Sequence, residues 1–394
     1  MNASPEVRLQ FVGAEKLARA LADTQAPHLP QSLLCDHYAV GNAALRAALD
    51  AKIMHLVNAL EPQLHPDRVR WPGARADVLA LDMAFTEHQT QPFDLAWVEI
   101  QAFTSMLPTF HAMHLAQRQV HDMDVHLLPH DPLPFGTGWV DHTRQWLAPH
   151  AHTVLIEDRP RASPGWSDFD GARHWWNVDV HDWRDVIVDE GHLRSPDGSK
   201  CYTHVWNRLI FSDLCATDRV LAEAKMRAAY KLSWHSHPAW YDGVHKGSLA
   251  NLPLAPHEAC HWVEDEAQRN ASWSNAERWV AKSVSGHSGV GLLLNPTAAE
   301  IRALPTPRQW IVQNKFRQVS VGRHPVTERP LFGEIRCLLA LQDGKTPWVM
   351  AWIFRCSTNG IATMSGRQTL PGEGMTLLYF DTAPMRGVAS HGSS

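Results

Sequence analysis

The residue types best suited to chemistry lie between Trp279 and Phe380. Trp279-Val280-Ala281-Lys282 is an apolar run that ends in a cation, and Ser285-Gly286-His287-Ser288-Gly289-Val290-Gly291 follows it almost at once. That second segment has very little bulk. Glycines let backbone N–H groups turn toward an anion with no Cβ in the way, and a lysine on the adjoining strand adds a point charge. The chemistry open to such a pair is to hold a phosphate chain, although a Gly/Ser loop of this composition also serves as a plain strand connection.

Several elements must position that loop. Trp310-Ile311-Val312-Gln313-Asn314-Lys315-Phe316 reads as a second apolar strand leading into a polar link. The run from Gly333 to Leu341 mixes charged and apolar residues, and Trp348 to Arg355 reads as a further strand. Within the first of these, Glu334 and Arg336 are two residues apart and so share a face of the strand.

This order of elements resembles the nucleotide-binding half of ATP-grasp ligases, and specifically a bacterial branch akin to carboxylate–amine ligases. The resemblance implies that Lys282 is the strand lysine and that Gly286, Gly289 and Gly291 form the flap over the phosphates. It makes Gln313, Asn314 and Lys315 the link beside adenine, and Arg336 the catalytic arginine, with Arg355 also stabilising the transferred phosphoryl group. Glu99 and Gln101, followed by Ala102-Phe103-Thr104-Ser105-Met106, resemble the branch's Glu-x-Gln-x-Phe-Pro-Ser pattern, with Thr104 in place of proline. Trp206-Asn207-Arg208-Leu209-Ile210-Phe211 resembles its Tyr-Asn-Arg-Val-Ile-Phe strand, and His237-Pro238-Ala239-Trp240 its His-Pro-x-Trp, with Lys246 at the matching distance. By resemblance, Arg208 is a further catalytic arginine, Glu99, Gln101 and Asn207 contact substrate, and Lys246 is a second phosphate lysine. The implied partners are ATP, Mg2+, a small-molecule carboxylate and an amine, and the superfamily allows a homodimer.

Each assignment has a plainer alternative. Asp82, Glu99 and Gln101 can face solvent on a half-buried sheet. Arg208, a forked and always-charged donor among hydrophobes, suits a substrate carboxylate or a nucleotide phosphate, but can also pair with Glu157 or Asp168 within the fold. Lys246 can be a surface lysine. The metal is where the resemblance weakens: family members carry Asp/Glu-x-Asn near the last strands, whereas Ser365 and Arg367 stand there in this chain. Serine is a poor ligand and arginine is none. Glu334 and Glu373 are then the carboxylates left to hold magnesium, unless the fixed charge of Arg367 replaces an ion.

The expected fold class is α/β (α+β), an ATP-grasp fold with a preceding open α/β substrate domain. The expected divisions are 1–75, a helical segment; 76–230, the open α/β domain; 231–386, the nucleotide-binding domain; and 387–394, a loose tail. Hydrophobes at Leu45, Leu49, Ile53, Leu56 and Leu60 predict a helix over 44–60. Further expectations are paired strands at Val78–Phe85 and Phe93–Gln101, a helix over 111–121, a strand at Thr153–Asp158 and another from Cys201 to Phe211. Strands alternating with helices collect ligands beyond their carboxyl ends, where Glu157 and Asp158 fall. A pair at His235 and His237 is the nearest thing to a histidine ligand set, and Trp166, Trp175 and Trp176 either line a pocket or fill a core.

Length and charge limit the functions open to the chain. Its 394 residues suit two or three domains, and 36 basic against 41 acidic residues give a net charge of -5, with no general attraction for nucleic acid or a membrane surface. No apolar run reaches a membrane span, and the start lacks a signal peptide's basic and greasy regions, so a cytoplasmic protein is expected. The six cysteines form no CxxC pair, and Cys337 and Cys356 sit in apolar runs where packing accounts for them. Two readings follow. One is an ATP-dependent ligase acting through an acyl phosphate, and the other is a degenerate relative that binds a nucleotide or ligand without ligation, as a partner or regulatory subunit.

Overall fold

The computed structural model describes residues 6–24, 34–64, 76–103, 106–120, 127–128, 139–148, 152–269, 278–285, 291–305, 307–342, 345–360 and 370–381. The apolar run after position 77 forms the strand Val78–Thr86, buried at every one of its positions. A strand buried throughout needs cover on both faces as well as neighbours on both sides. It finds them inside a nine-stranded sheet whose main order is Val7–Phe11, His37–Gly41, Gly374–Asp381, Trp348–Ser357, Pro330–Ala340, Val78–Thr86 and Asp94–Gln101. Ser320–Arg323 pairs with Pro330–Ala340, and Leu127–Leu128 with Gly374–Asp381. Of these pairings only His37–Gly41 with Gly374–Asp381 is parallel.

Helix Ala43–Leu60 covers one face, starting where the Asn42 side chain accepts a hydrogen bond from the Leu45 N–H at 2.8 Å. Its Leu45, Leu49, Ile53 and Leu56 pack with Leu81, Met83, Ile335, Cys337 and Phe354 of the sheet. Helices Ala14–Asp23 and Leu107–Val120 cover the other face, with Leu17, Leu107, Phe110 and Met113 against Ala80, Leu338, Ile353 and Leu377. The spacing of leucines therefore located the first helix to within a residue, while the helix expected from 111 starts a turn earlier.

Packing is tight between the paired strands Pro330–Ala340 and Trp348–Ser357. A Cβ on Gly333 would meet Phe354 Cζ at 2.4 Å, a separation that real contacts do not show. Gly333→Ala is expected to lower unfolding free energy by about 1–3 kcal/mol through overpacking. A urea midpoint equal to that of the wild type would show that Phe354 swings aside at no cost.

The expected open α/β layer is present as a four-stranded parallel sheet in the order Ser233–His235, His204–Asn207, Thr153–Glu157, Asp179–Asp182. Helices Trp166–Trp176 and Ala216–Ala228 lie in its connections. The strand expected from Cys201 to Phe211 is interrupted at Thr203. Cys201–Tyr202 joins an antiparallel meander with His192–Arg194 and Ile187–Asp189, and His204–Asn207 enters the parallel sheet. A last sheet, all antiparallel, runs Cys260–Trp262, Trp310–Asn314, Trp279–Ser283, Leu292–Leu294.

The fold is thus mixed α/β. The large sheet takes strands from all three long sequence segments, so its edges do not follow the divisions at 75 and 230. A doubly covered apolar strand demands partners without saying which, and the partners of Val78–Thr86 include a strand more than 240 residues further along. Trp176 is buried and stacks on Trp206 at 5.5 Å between ring centres, so it fills core rather than lining a pocket. Among the described residues, no helix is long and apolar enough to cross a membrane.

Candidate functional site

Asp82 stands opposite both Glu99 and Arg336, Glu334 opposite Arg355, and Gln101 opposite Ala80. Residues directly opposite, and residues two apart on one strand, point to the same side of a sheet. All six polar residues therefore project from one face. It is the face on which Ala80, Leu338 and Ile353 meet the helices, apolar toward one end and charged toward the other.

The charged end is closely knit. Arg336 grips Asp82 with both edges of its fork, Nε to Oδ1 at 2.7 Å and Nη2 to Oδ2 at 2.7 Å. Arg355 Nη2 donates to Asp82 Oδ2 at 2.7 Å and to Glu334 Oε2 at 2.6 Å. Asp82 is 1% exposed, which overturns the solvent-facing alternative for this residue. A carboxylate inside an apolar run is bearable only when paired. Burial alone would raise the Asp82 pKa, but the charges of Arg336 and Arg355 outweigh it and hold the group below the usual carboxylate range. Glu334 ends on the other side of that balance: its burial pushes the pKa up, against the pull of Arg355. Arg355 Nε is buried without a hydrogen-bond partner.

The neighbouring sheet is joined here through a backbone irregularity. Asp82 faces Glu99 and Met83 faces Trp97, so Val98 is the extra residue of a β-bulge, and its carbonyl is left over from the ladder. Lys282 Nζ takes it, donating to Val98 O at 2.8 Å and to Gln313 Oε1 at 2.7 Å. Gln313 Nε2 in turn donates to Trp97 O at 2.6 Å. Burial lowers the Lys282 pKa, opposed by the charges of Glu99, Cys260 and Glu334. Lys246 opens a 3-10 turn, Lys246–Asn251, and is buried, with Nζ 3.5 Å from both Glu99 Oε1 and Ser283 O. It is not a surface lysine. Four cations (Lys246, Lys282, Arg336, Arg355) thus face three carboxylates (Asp82, Glu99, Glu334), and the surplus positive charge suits an anion.

Gly291 has φ +69°, and its carbonyl accepts from Ser283 N at 2.8 Å. A side chain there would collide with Ser283 Cβ at 2.6 Å. Gly286 and Gly289 lie outside the described residues. In the link, Asn314 Nδ2 donates to Pro256 O at 2.7 Å and the Lys315 ammonium donates to Asn295 Oδ1.

Other expected site residues are placed elsewhere. Glu373 Oε1 accepts from Thr358 N at 2.9 Å and Oε2 from Leu370 N at 3.0 Å. The register puts it two strands and two residues from Glu334, about 12 Å away. The Glu334/Glu373 pair is therefore not assembled as a metal site, because each carboxylate is already engaged. Among the described residues no group of three His, Cys, Asp or Glu side chains could hold a metal ion. Ser365 and Arg367 lie outside them. Asn207 is fully engaged, its Nδ2 donating to Leu209 O and Ser236 O at 2.8 Å each and its Oδ1 accepting from Leu209 N at 3.1 Å, so it ties two strand ends together. Arg208 directly follows the parallel-sheet strand His204–Asn207 and lies over the Phe103 ring at 4.4 Å, rather than in the Arg336 cluster. His235 is paired with Asp77 at 2.5 Å and His237 accepts from Ala239 N at 3.1 Å, so they form no ligand pair.

The residue that ties the cluster together, Asp82, was visible only as an acid interrupting the run Leu79-Ala80-Leu81-Asp82-Met83-Ala84. That interruption was its one signal. The bulge at Val98 had none.

No family model matches this chain, and no curated protein does. Solved structures similar to it include a glutathione synthetase-like effector (GSS30) from Globodera pallida in its apo form. That pair shows 12% identity and a TM-score of 0.45, over 96% of this chain and 90% of that one. They also include the ATP-grasp ligase PsnB complexed with minimal precursor, at 14% identity and TM-score 0.27 over 60% of this chain and 93% of that one. A second PsnB structure, with precursor peptide PsnA2 and AMPPNP, gives 12% identity and TM-score 0.28 over 61% and 92%. At these values the site stands on its own geometry.

Proposed function

We propose that this chain is an ATP-dependent ligase of the ATP-grasp kind, joining a small carboxylate to an amine through an acyl phosphate. The observation that carries the reading is the approach of buried Lys282 to the bulge at Val98 and of buried Lys246 to Glu99 next to it, beside a carboxylate–arginine cluster at the seam between the large sheet and the four-stranded antiparallel sheet. Lys282 and Lys246 hold the nucleotide phosphates, with Gly291 at the base of the flap. In the chemical step a substrate carboxylate oxygen bonds to the γ-phosphorus and ADP leaves. The amine then adds to the acyl carbon, phosphate leaves and the amine gives up a proton. Arg336 and Arg355 stabilise negative charge on the transferring phosphoryl group, and Asp82 fixes their orientation before substrate arrives. Magnesium ordinarily accompanies ATP in such chemistry, but Glu334 and Glu373, each already engaged, do not fit as its ligands.

The test is release of ADP and phosphate when pooled amino acids are offered with ATP and magnesium. Arg336→Lys keeps the charge and loses the two-pronged grip on Asp82. Turnover is expected to fall by about 10-fold or more while ATP affinity stays within about 3-fold. Affinity falling in step with turnover would make Arg336 a binding residue.

One observation favours the second reading, nucleotide or ligand binding without ligation: the described residues assemble no carboxylate set for a metal. ATP binding that survives EDTA, together with no ADP release from any amino acid, would select it.

A further inference from the structure

The parallel sheet carries a feature that the ligase chemistry does not use. From Thr153–Glu157 the chain moves outward to Asp179–Asp182, then returns to place His204–Asn207 on the opposite side of the starting strand. The order of strands reverses between Thr153–Glu157 and His204–Asn207, and crevices form beyond the carboxyl ends at such a reversal. Glu157 is the last residue of one strand. Arg208 follows the other, with its N–H bonded to Ile156 O at 2.8 Å. Ser236, the residue after the next strand, sits there at φ +56° with its buried hydroxyl unpaired.

Arg208 is 9% exposed and lies over the rings of Phe103 at 4.4 Å and Phe169 at 5.4 Å. Its Nε and Nη1 are buried with no hydrogen-bond partner. The two acids expected to pair with it do not supply one. Asp168 is held by Met106 N at 2.9 Å, Thr109 N at 3.1 Å and Thr109 Oγ1 at 3.0 Å, and Glu157 Oε1 accepts from Asp158 N at 2.8 Å. A buried guanidinium with unmet donors lacks an acceptor, and a carboxylate matches its fork.

We propose that this edge binds an α-amino acid, with Arg208 taking the carboxylate and Glu157 the ammonium group. Phe103 and Phe169 form the walls that keep water from the guanidinium. The purpose of the site rests on the ligase reading, since the bound amino acid is one of the two molecules to be joined. Phe103 is two residues beyond Gln101, so the segment that walls Arg208 continues from the strand that carries Glu99, the partner of Lys246. Burial, opposed by the Arg208 charge, raises Glu157 to a pKa of about 7, and an arriving ammonium restores its charge.

The twenty amino acids, titrated singly into the full chain by calorimetry, are expected to yield at least one that binds. For that amino acid, its carboxamide and its N-acetyl form should each bind wild type about 10-fold more weakly or worse. In Arg208→Gln the free acid and the carboxamide should bind alike, within about 3-fold, with ATP affinity retained. If that variant does not fold, Arg208→Lys, which keeps the charge without the fork, should narrow the gap between acid and carboxamide. No amino acid binding the wild type, or a carboxamide penalty undiminished in the variants, overturns the proposal. Either result leaves ATP affinity in wild type and Lys282 variants to judge the nucleotide reading separately.

Discussion

Replacing Asp82 by asparagine is expected to cost about 3–5 kcal/mol of unfolding free energy, because two buried guanidinium groups would then share an uncharged partner. Arg336 donates to Asp82 twice and Arg355 once, while Glu334 accepts only from Arg355 in that set, so no neighbouring acid takes over. Urea denaturation at pH 7 measures the loss, and a loss below about 1 kcal/mol would show that the cluster relaxes to use Glu334 alone. The pH dependence has a definite sign. Burial works to raise the Asp82 pKa but the two arginines hold it low. Its stabilisation is therefore complete above the ordinary carboxylate range and disappears as pH falls through the native-state value. The difference between wild type and Asp82→Asn should be full at pH 7 and shrink below about pH 4.

Lys282→Met should weaken ATP binding by about 10–100-fold, the equivalent of a charge-assisted hydrogen bond worth about 1.5–3 kcal/mol. Two of the three ammonium donors are engaged, by Val98 O and Gln313 Oε1, which fixes the direction of the third. Calorimetric titration of folded protein is the measurement. Affinity equal to that of the wild type would remove Lys282 from the nucleotide site and leave it a bolt between the bulge and the smaller sheet. Because Gln313 is tied to both Lys282 and Trp97 O, the variant should also loosen that seam, and a lowered melting temperature with unchanged affinity would be the mark of a purely structural lysine.

The sequence by itself determined the elements and their chemistry. The leucines of helix Ala43–Leu60, the apolar runs of Trp279–Ser283, Trp310–Asn314 and Trp348–Ser357, and the strand–helix alternation after Thr153 were legible because periodicity and run length reflect local burial. So was the shared face of Glu334 and Arg336, which needs only the two-residue repeat of a strand. Tertiary structure alone decided the partners. Asp82 meets Arg336 across 254 residues of chain, and Lys282 meets the carbonyl of Val98 across 184, at a bulge that no residue type announces. The same long-range pairing engaged Glu334 with Arg355 and Glu373 with Thr358, and placed Arg208 over Phe103, away from the Arg336 cluster. Which charge neutralises which is settled by the register of strands distant in sequence, and a local pattern carries no information about that register.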